Sequence, residues 1–521
     1  MTRTLLASIL QKCFAIASNE LMNQISSGQA LLQAVDPVKN RITAEKEIDQ
    51  IININRNKEN THRIVIVGAG LAGLTCAYRL KQAGISSTVY EATGRVGGRC
   101  WTRRGFFKEE QIVERGGEFI DTNHKEILEL VKELGLKLDN LPMAESTGTA
   151  PVYFFNGSPY SLEDVTNDFL TILPKLKRDL KEAGEMTLYN SYTERGYELD
   201  HMSVVDYINE TVPGGIDSKF GKLLEVAYTI ENGADANQQS ALNLLYLLGF
   251  VQSDRFQIYG DSDECFHIRG GNDQLPALLA QNLNGQIRFN SQLVKIEQND
   301  QSGIKLHFRE ADKEFEVLAD KVILAIPFRI LRMIDYENAR FCPLKKTAIE
   351  ELGMGVNTKL HVQFTNRFWK EFGNNGETFS DTGYQQTFES SRAQPGRSGI
   401  LVNFTGSETA AGQSASTEEE LKERTRDFLD KLKHVLPDGE IHWNGLSTVD
   451  HWLSNQWSKG AYSYWKVGQF TKFAGIPGER EGNIFFAGEH TSIKYPGYLN
   501  GAVETGERAA NEVISDLLKS F

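Results

Sequence analysis

Arg63-Ile64-Val65-Ile66-Val67-Gly68-Ala69-Gly70-Leu71-Ala72-Gly73-Leu74 is the stretch on which the reading of this chain turns. A short β-branched run stops at a glycine, the spacing G-x-G-x-x-G follows, and Leu74 to Ala83 has helical composition. Thr88-Val89-Tyr90 then leads to Glu91. Strand, glycine turn, helix and strand thus fall within about thirty residues, as a βαβ unit requires. In such a unit Gly68 permits the sharp turn, Gly70 lets backbone approach a pyrophosphate, and Gly73 lets helix pack on strand. The helix start that follows the loop residues Leu71 and Ala72 offers unpaired N–H groups and a positive dipole end to phosphates. Glu91, about twenty residues on, stands where a carboxylate accepts hydrogen bonds from ribose hydroxyls. The hexapeptide alone is a weak signal; its full βαβ context carries the dinucleotide reading. These residues leave NAD and FAD both open.

Composition sets the outer bounds. At 521 residues the chain is long for one domain and comfortable for two. Apolar content of 40% and charged content of 24% are ordinary for a soluble globular protein. A net charge of −13 argues against nucleic acid or an anionic membrane as partner. Cys13, Cys76, Cys100, Cys265 and Cys342 are scattered, with no C-x-x-C pair. Neither a disulfide framework nor a metal site is expected, and a reducing, cytoplasmic setting is the simpler reading. Met1 to Ala17 carries Arg3, an apolar stretch and Ala15-Ile16-Ala17, which resembles a signal cleavage site. Gln11 and Lys12 interrupt that stretch, and Leu6, Ile9 or Leu10, Phe14, Ala17, Leu21 and Ile25 fall at helical spacing. An amphipathic helix is therefore favoured over a cleaved signal. No later apolar run reaches the length of about twenty residues that a spanning helix needs.

Further on, Gln286 to Val317 alternates in strand fashion, with turns at Asn299-Asp300 and Ser302-Gly303. Lys321 to Ile326 reads as a buried strand ended by Pro327. Helical patterns dominate from 120 to 260, as in His124 to Leu136 and Leu223 to Ile230, and Thr417 to Val435 is a charged amphipathic helix. The nucleotide-binding character is interrupted by other material and then resumed.

Immediately after Glu91 comes Ala92-Thr93-Gly94-Arg95-Val96-Gly97-Gly98-Arg99. Two arginines among close-approach glycines can neutralise a second face of the pyrophosphate. Together, E-A-x-x-R-x-G-G-R resembles the signature of the flavin amine oxidase superfamily, which includes monoamine oxidases, polyamine oxidases and L-amino acid oxidases. The resemblance extends from about residue 62 to Phe521. It implies an α/β fold in which a Rossmann-like FAD-binding domain (62–123, 262–340 and 445–521) is interleaved with an α+β substrate-binding domain (124–261 and 341–444). An N-terminal helical extension and linker (1–61) precede them.

On the family's pattern, Glu114-Arg115-Gly116-Gly117-Glu118-Phe119 passes its backbone beside the flavin ring. Phe266 to Gly271, with Leu275, is a strand, double glycine and helix, and Val294 holds the adenine through its backbone. Phe486-Ala487-Gly488-Glu489-His490-Thr491-Ser492 and Gly497-Tyr498-Leu499-Asn500-Gly501-Ala502 resemble the final flavin-binding block. There Glu489 would bond the ribityl or phosphate region, and the helix from Leu499 would aim its positive end at the flavin N1–C2=O edge. Trp452 matches a tryptophan near the ring. Ala461 stands where animal monoamine oxidases carry a cysteine bonded to the flavin, so non-covalent FAD is implied. On the same pattern the last helix runs to Phe521, and no membrane-anchoring tail is expected.

Asn357 to Phe364, followed by Phe368-Trp369, resembles the strand that brings a lysine, here Lys359, to the flavin N5 through a water. Without the resemblance, Lys359 is a strand lysine facing solvent. Tyr462 and Tyr498 match the ring pair that forms an aromatic cage before the flavin, although each alone reads as a core aromatic. With these three residues in catalytic roles, the resemblance implies hydride transfer from a primary amine to N5. The imine is hydrolysed to aldehyde and ammonia, and oxygen reoxidises the flavin to give hydrogen peroxide. An L-amino acid oxidase needs a cation for the α-carboxylate. Venom-type enzymes have an arginine three residues past the glycine matching Gly116, where this chain has Phe119; Arg269 is an alternative. Asp121 falls where some polyamine oxidases carry an acid, or else caps the helix at His124. A primary amine is the favoured substrate, with L-amino acids and polyamines as alternatives. A desaturase-like flavoprotein and a non-enzymatic FAD scaffold are more distant readings. The expected partners are the amine or amino acid, oxygen and a second copy of the chain.

Overall fold

The computed structural model of the protein describes residues 62–251, 256–299 and 303–519. The expected N-terminal helix or signal, Cys13 and the turn at 300–302 lie outside them. At the centre is a five-stranded parallel sheet in the order Ile484–Phe486, Lys321–Leu324, Ile64–Val67, Thr88–Tyr90 and Ile287–Arg288. Ile64–Val67 and Lys321–Leu324 are buried along their whole length. That is why both read as continuous apolar runs: a parallel strand covered on both faces has no solvent side to mark with polar residues. The helix Leu71–Gln82 leaves the first strand. The last helix, Leu499–Lys519, lies against it so closely that a Cβ on Gly506 would stand 2.4 Å from the Ala72 carbonyl. The sheet is therefore edged by one strand, Ile484–Phe486, and covered by a helix from the far end of the chain.

A second, seven-stranded sheet runs in the order Trp443–His451, Asn357–Phe364, Gly399–Gly406, Gln385–Glu389, Asn374–Ser380, Ala150–Phe155 and Ser158–Tyr160. Its pairings are antiparallel except for Asn374–Ser380 beside Ala150–Phe155. Helices Leu162–Ala183, Val204–Thr211, Lys219–Asn232 and Ala241–Leu248 build one apolar cluster against it. The expected boundary at 445 cuts the strand Trp443–His451, and this needs correcting. That strand hydrogen-bonds along Asn357–Phe364, so it belongs with the seven-stranded sheet.

The expected alternating stretch resolves into Ile287–Arg288 on the parallel sheet and a separate antiparallel ribbon of Gln292–Asn299, Gly303–Glu310 and Lys313–Ala319. Thr417 caps the helix Glu418–Leu432 through a reciprocal capping box with Glu420. Cys76, Cys100 and Cys265 are buried free thiols, and Cys342 is an exposed one. Among the described residues no helix is long and apolar enough to cross a membrane, and no group of three or more His, Cys, Asp or Glu is placed to hold a metal ion.

Candidate active site

A cavity of about 1110 Å³ runs from the glycine loop, past the double-glycine block, to the helices of the second layer. Every residue assigned to the cofactor or to catalysis from sequence lines it except Gly73 and Val294. The three loop glycines differ in what surrounds them. Gly68 has φ +101°, and a Cβ there would stand 2.7 Å from the Ala325 carbonyl. On Gly73 a Cβ would stand 2.0 Å from the Gly68 carbonyl, so this glycine serves helix–strand packing and faces away from the cavity. On Gly70 a Cβ would meet nothing within 4 Å. The loop is thus closed behind and open in front, at the start of a helix with unpaired N–H groups, which is a cradle shaped for a pyrophosphate.

Glu91 fixes this loop. Its carboxylate accepts from the Ala69 N–H at 2.8 Å and from the Thr93 N–H and hydroxyl at 2.9 and 2.7 Å. The arginine-glycine stretch folds back on the same loop, Gly97 N–H donating to the Ala69 carbonyl at 2.8 Å. Arg95 donates to the Val96 and Gly98 carbonyls and lies over the Trp101 ring. Arg99 reaches Glu489 at 2.7 Å and the Ala461 carbonyl at 2.7 Å. Glu489 also accepts from the Ser463 hydroxyl and the Gly497 N–H. Burial opposes its charge, but Arg99 and these bonds hold its carboxyl below the usual range. Val294 sits at a register break in its strand with its carbonyl taken by the Asp335 N–H, while Ser291 to Leu293 face the cavity.

The double-glycine block has no room for side chains at its glycines. A Cβ on Gly116 would stand 1.9 Å from the Arg99 carbonyl, and one on Gly117 would stand 2.6 Å from Leu499. Trp452 donates its indole N–H to the Arg115 carbonyl at 2.8 Å. Asn272, which sequence reading missed, donates to the Gly117 and Glu118 carbonyls and accepts from the Ile268 N–H. No motif marks it, because its role is set by where the Gly270–Gly271 turn delivers it.

Lys359 is 6% exposed, so it does not face solvent. Its Nζ donates to Glu118 Oε2 at 2.6 Å and to the Gly116 carbonyl at 2.7 Å. Tyr462 and Tyr498 are tethered to consecutive residues of the helix Lys219–Asn232: the Tyr462 hydroxyl donates to the Ile230 carbonyl and the Tyr498 hydroxyl to Glu231 Oε1, both at 3.3 Å. Asp121 does not cap the helix at His124, whose N-terminus has no side-chain cap. It accepts instead from the Ser262 hydroxyl and the Glu264 N–H. Burial pushes the Asp121 carboxyl up to about 6 and Glu231 up to about 7, and raises Glu264 well above its usual value. All three line the same cavity. The lining cations are Arg95, Arg99, Lys359 and the exposed Lys494. Arg269 is not among them; it is largely exposed and pairs with Asp139.

The chain's similarity to known proteins agrees with this site. Residues 71–514 match the family model described as flavin containing amine oxidoreductase. The L-amino-acid oxidase of Sistrurus catenatus edwardsii is 25% identical over 489 residues, covering 90% of this chain and 91% of that protein. That of Pseudechis australis is 26% identical over 500 residues, covering 90% of each. Among solved structures, putrescine oxidase bound to putrescine superposes with a TM-score of 0.75 at 22% identity, over 87% of this chain and 99% of that one. Cyclohexylamine oxidase from Brevibacterium oxydans IH-35A does so with a TM-score of 0.74 at 21% identity, over 88% and 99%. With the family model running from the helix behind the glycine loop, through the double-glycine block, into the closing helix, the chain belongs to the flavin-containing amine oxidoreductases and is an FAD-dependent oxidoreductase acting on CH–NH₂ donors.

Proposed function

We propose that this enzyme oxidises a primary amine without an α-carboxylate, in the cavity between Lys359 and the Tyr462–Tyr498 pair. The observation that carries the reading is the acidic lining of the substrate end. Asp121, Glu231 and Glu264 converge there, while Arg99 and Lys359 are already paired with Glu489 and Glu118. An amino-acid carboxylate entering this end would meet three acidic groups and a phenylalanine, Phe119, in place of a guanidinium. An ammonium group is drawn by Asp121 and Glu231 as these ionise.

Non-covalent FAD, when bound, would supply the two-electron redox chemistry for oxidising the amine to its imine, with oxygen as the final acceptor. Gly68, Gly70, Leu71 and Ala72 would hold its pyrophosphate, Glu91 and Ala92 its adenosine side, and Arg95, Gly98 and Arg99 the opposite face. Gly116 to Phe119, Trp452, Gly488, Glu489, Gly497, Leu499 and Ala502 would surround its flavin half. The division of labour follows the two sheets: the parallel sheet's segments bind the cofactor, and the seven-stranded sheet with its helices, now including Trp443–His451, shapes the substrate end. Tyr462 and Tyr498 orient the amine, and Lys359 supplies an N–H at the reacting end.

An anaerobic titration of the holoenzyme tests this directly. Primary amines should bleach the flavin absorption while the matching L-amino acids leave it unchanged. Bleaching by L-amino acids and by no simple amine would overturn the reading.

A further inference from the structure

Lys359 comes from the strand Asn357–Phe364, Glu118 from the double-glycine block and Ser390 from the turn after Gln385–Glu389. Their side chains form a chain of hydrogen bonds: Ser390 Oγ donates to Glu118 Oε1 at 2.8 Å, and Lys359 Nζ donates to Glu118 Oε2 at 2.6 Å. The two ends of the Lys359–Glu118 pair are 7% and 6% exposed. A second ammonium N–H goes to the Gly116 carbonyl at 2.7 Å, leaving for the third only the Glu114 carbonyl at 3.4 Å. The Phe388 and Phe404 rings flank the ammonium at 5.7 and 5.8 Å.

We propose that Glu118 is the positioning residue for Lys359: its carboxylate, itself fixed by Ser390, clamps the ammonium at the cavity wall, where the third N–H, held only by the long contact to the Glu114 carbonyl, is the one left to turn to a ligand. The inference rests on the reading of Lys359 as the group acting at the reacting end. A lysine stem carries four rotatable bonds and a compact, strongly hydrated charge, so a buried lysine takes one position only where its N–H groups are individually received. Here the carboxylate takes one and the Gly116 carbonyl another. Burial works against the charge on Glu118, but Lys359 and the two hydrogen bonds hold its carboxyl below the usual range.

The other charged groups around the ammonium are otherwise occupied. Asp450, the cross-strand partner of Lys359, is bound by Arg103 and Arg115. His361, two residues along the strand, is held neutral by burial at about 4. Glu114 is bonded through its side chain to His267 and Thr102. Glu118 is therefore the carboxylate that receives the Lys359 ammonium.

The test uses the full-length holoenzyme as wild type and as Lys359→Met, Glu118→Gln, Glu118→Asp and Ser390→Ala. Anaerobic flavin reduction by an amine that the wild type oxidises is followed against pH, alongside flavin content, melting temperature and a crystal structure of Glu118→Gln. With flavin content retained, Glu118→Gln should slow reduction about tenfold, or about 1.4 kcal/mol. Its alkaline limb should move to lower pH, because a buried ammonium without its counter-ion gives up its proton more readily. Its crystal structure should show Nζ away from the Gly116 carbonyl. Glu118→Asp should recover part of the rate, and Ser390→Ala should shift the limb in the same direction by less. If Lys359→Met is slow while Glu118→Gln keeps the wild-type rate and pH profile, the positioning role is overturned and Lys359 keeps its own. Should Glu118→Gln not fold, an unshifted profile in Ser390→Ala overturns it equally. Wild-type reduction in Lys359→Met overturns both readings.

Discussion

Arg99 and Glu489 stand 390 residues apart in sequence and share an ion pair of 2.7 Å, with Glu489 almost wholly buried. The pair ties the arginine-glycine stretch after the second strand to the closing flavin block, and Glu489 in turn holds Ser463 and Gly497. Removing one partner of a buried pair leaves the other uncompensated, at a cost of about 3–5 kcal/mol when burial is complete. Arg99 is partly exposed, so a smaller loss is expected. Glu489→Gln should purify with flavin occupancy reduced about tenfold, about 1.4 kcal/mol of cofactor affinity. The ratio of flavin absorption to protein absorption reads this out; full occupancy would show that the pair is not needed for binding.

The loop glycines should separate folding from binding. Gly73→Ala forces a Cβ to within 2.0 Å of the Gly68 carbonyl, so the strand–helix unit must shift and the apoprotein should melt several degrees lower. Gly70→Ala meets no protein atom within 4 Å, so the apoprotein should melt as wild type does while flavin binding is lost. Melting curves of the two apoproteins, with flavin content, distinguish them. Equal stability losses would mean that the loop's open side is not the cofactor side.

Asp121 and Glu231 impose a pH dependence on substrate capture. Both carboxyls are raised by burial, to about 6 and about 7. Their attraction for an ammonium appears only as the pH rises through that window. KM for a cationic amine should fall about tenfold between pH 5.5 and 8, about 1.4 kcal/mol, and Glu231→Gln should flatten the change. Stability has the opposite sign. The folded pKa values lie above the unfolded values of about 4, so the contribution of these acids is full below pH 4 and lost as pH rises through 6 to 7. The apoprotein of Glu231→Gln should therefore lose less stability than wild type between pH 5 and 8. A KM independent of pH would remove these acids from substrate binding.

Phe119 offers a gain-of-function check. It lines the cavity and packs edge-on against Phe388. Phe119→Arg places a guanidinium at the position where the resemblance puts the carboxylate-binding residue of venom-type enzymes. The ratio of kcat/KM for an L-amino acid over the corresponding amine should rise at least about tenfold. An unchanged ratio would mean that a carboxylate, if it binds at all, is received elsewhere.

The cofactor half of the site was far more legible in the sequence than the substrate half. Gly68 and Gly73 can be read in advance because their roles are local: a positive φ and a helix-on-strand contact need only the βαβ spacing. That spacing also places Glu91, but its expected partner was a ribose, and the bonds to Ala69 and Thr93 that brace the loop were not foreseen. The double glycine at Gly116 and Gly117 needed a resemblance, since what crowds them is Arg99, Trp452 and Leu499 from three other segments. Glu231 carried no signal. It lies at the end of a helix whose apolar face was evident, and nothing local indicates that this end carries both tyrosine hydroxyls. Asp121 read equally well as a cap, and only the chain crossing at Ser262 and Glu264 sets it in the cavity. Boundaries failed for a related reason: strand Trp443–His451 joins its sheet through hydrogen bonds to residues some ninety positions earlier, a pairing that leaves no mark on its own sequence.

The packing of Leu499–Lys519 on Leu71–Gln82, with Gly506 against the Ala72 carbonyl, also governs when the protein can mature. During synthesis the first strand, its glycine loop and the helix behind them leave the ribosome hundreds of residues before the helix that covers them and the glutamate that pairs with Arg99. Until then the nascent βαβ unit presents a half-covered apolar surface, and its cradle has only one wall. Only when this helix and Glu489 have docked does the cradle gain its second wall, so cofactor capture follows that docking.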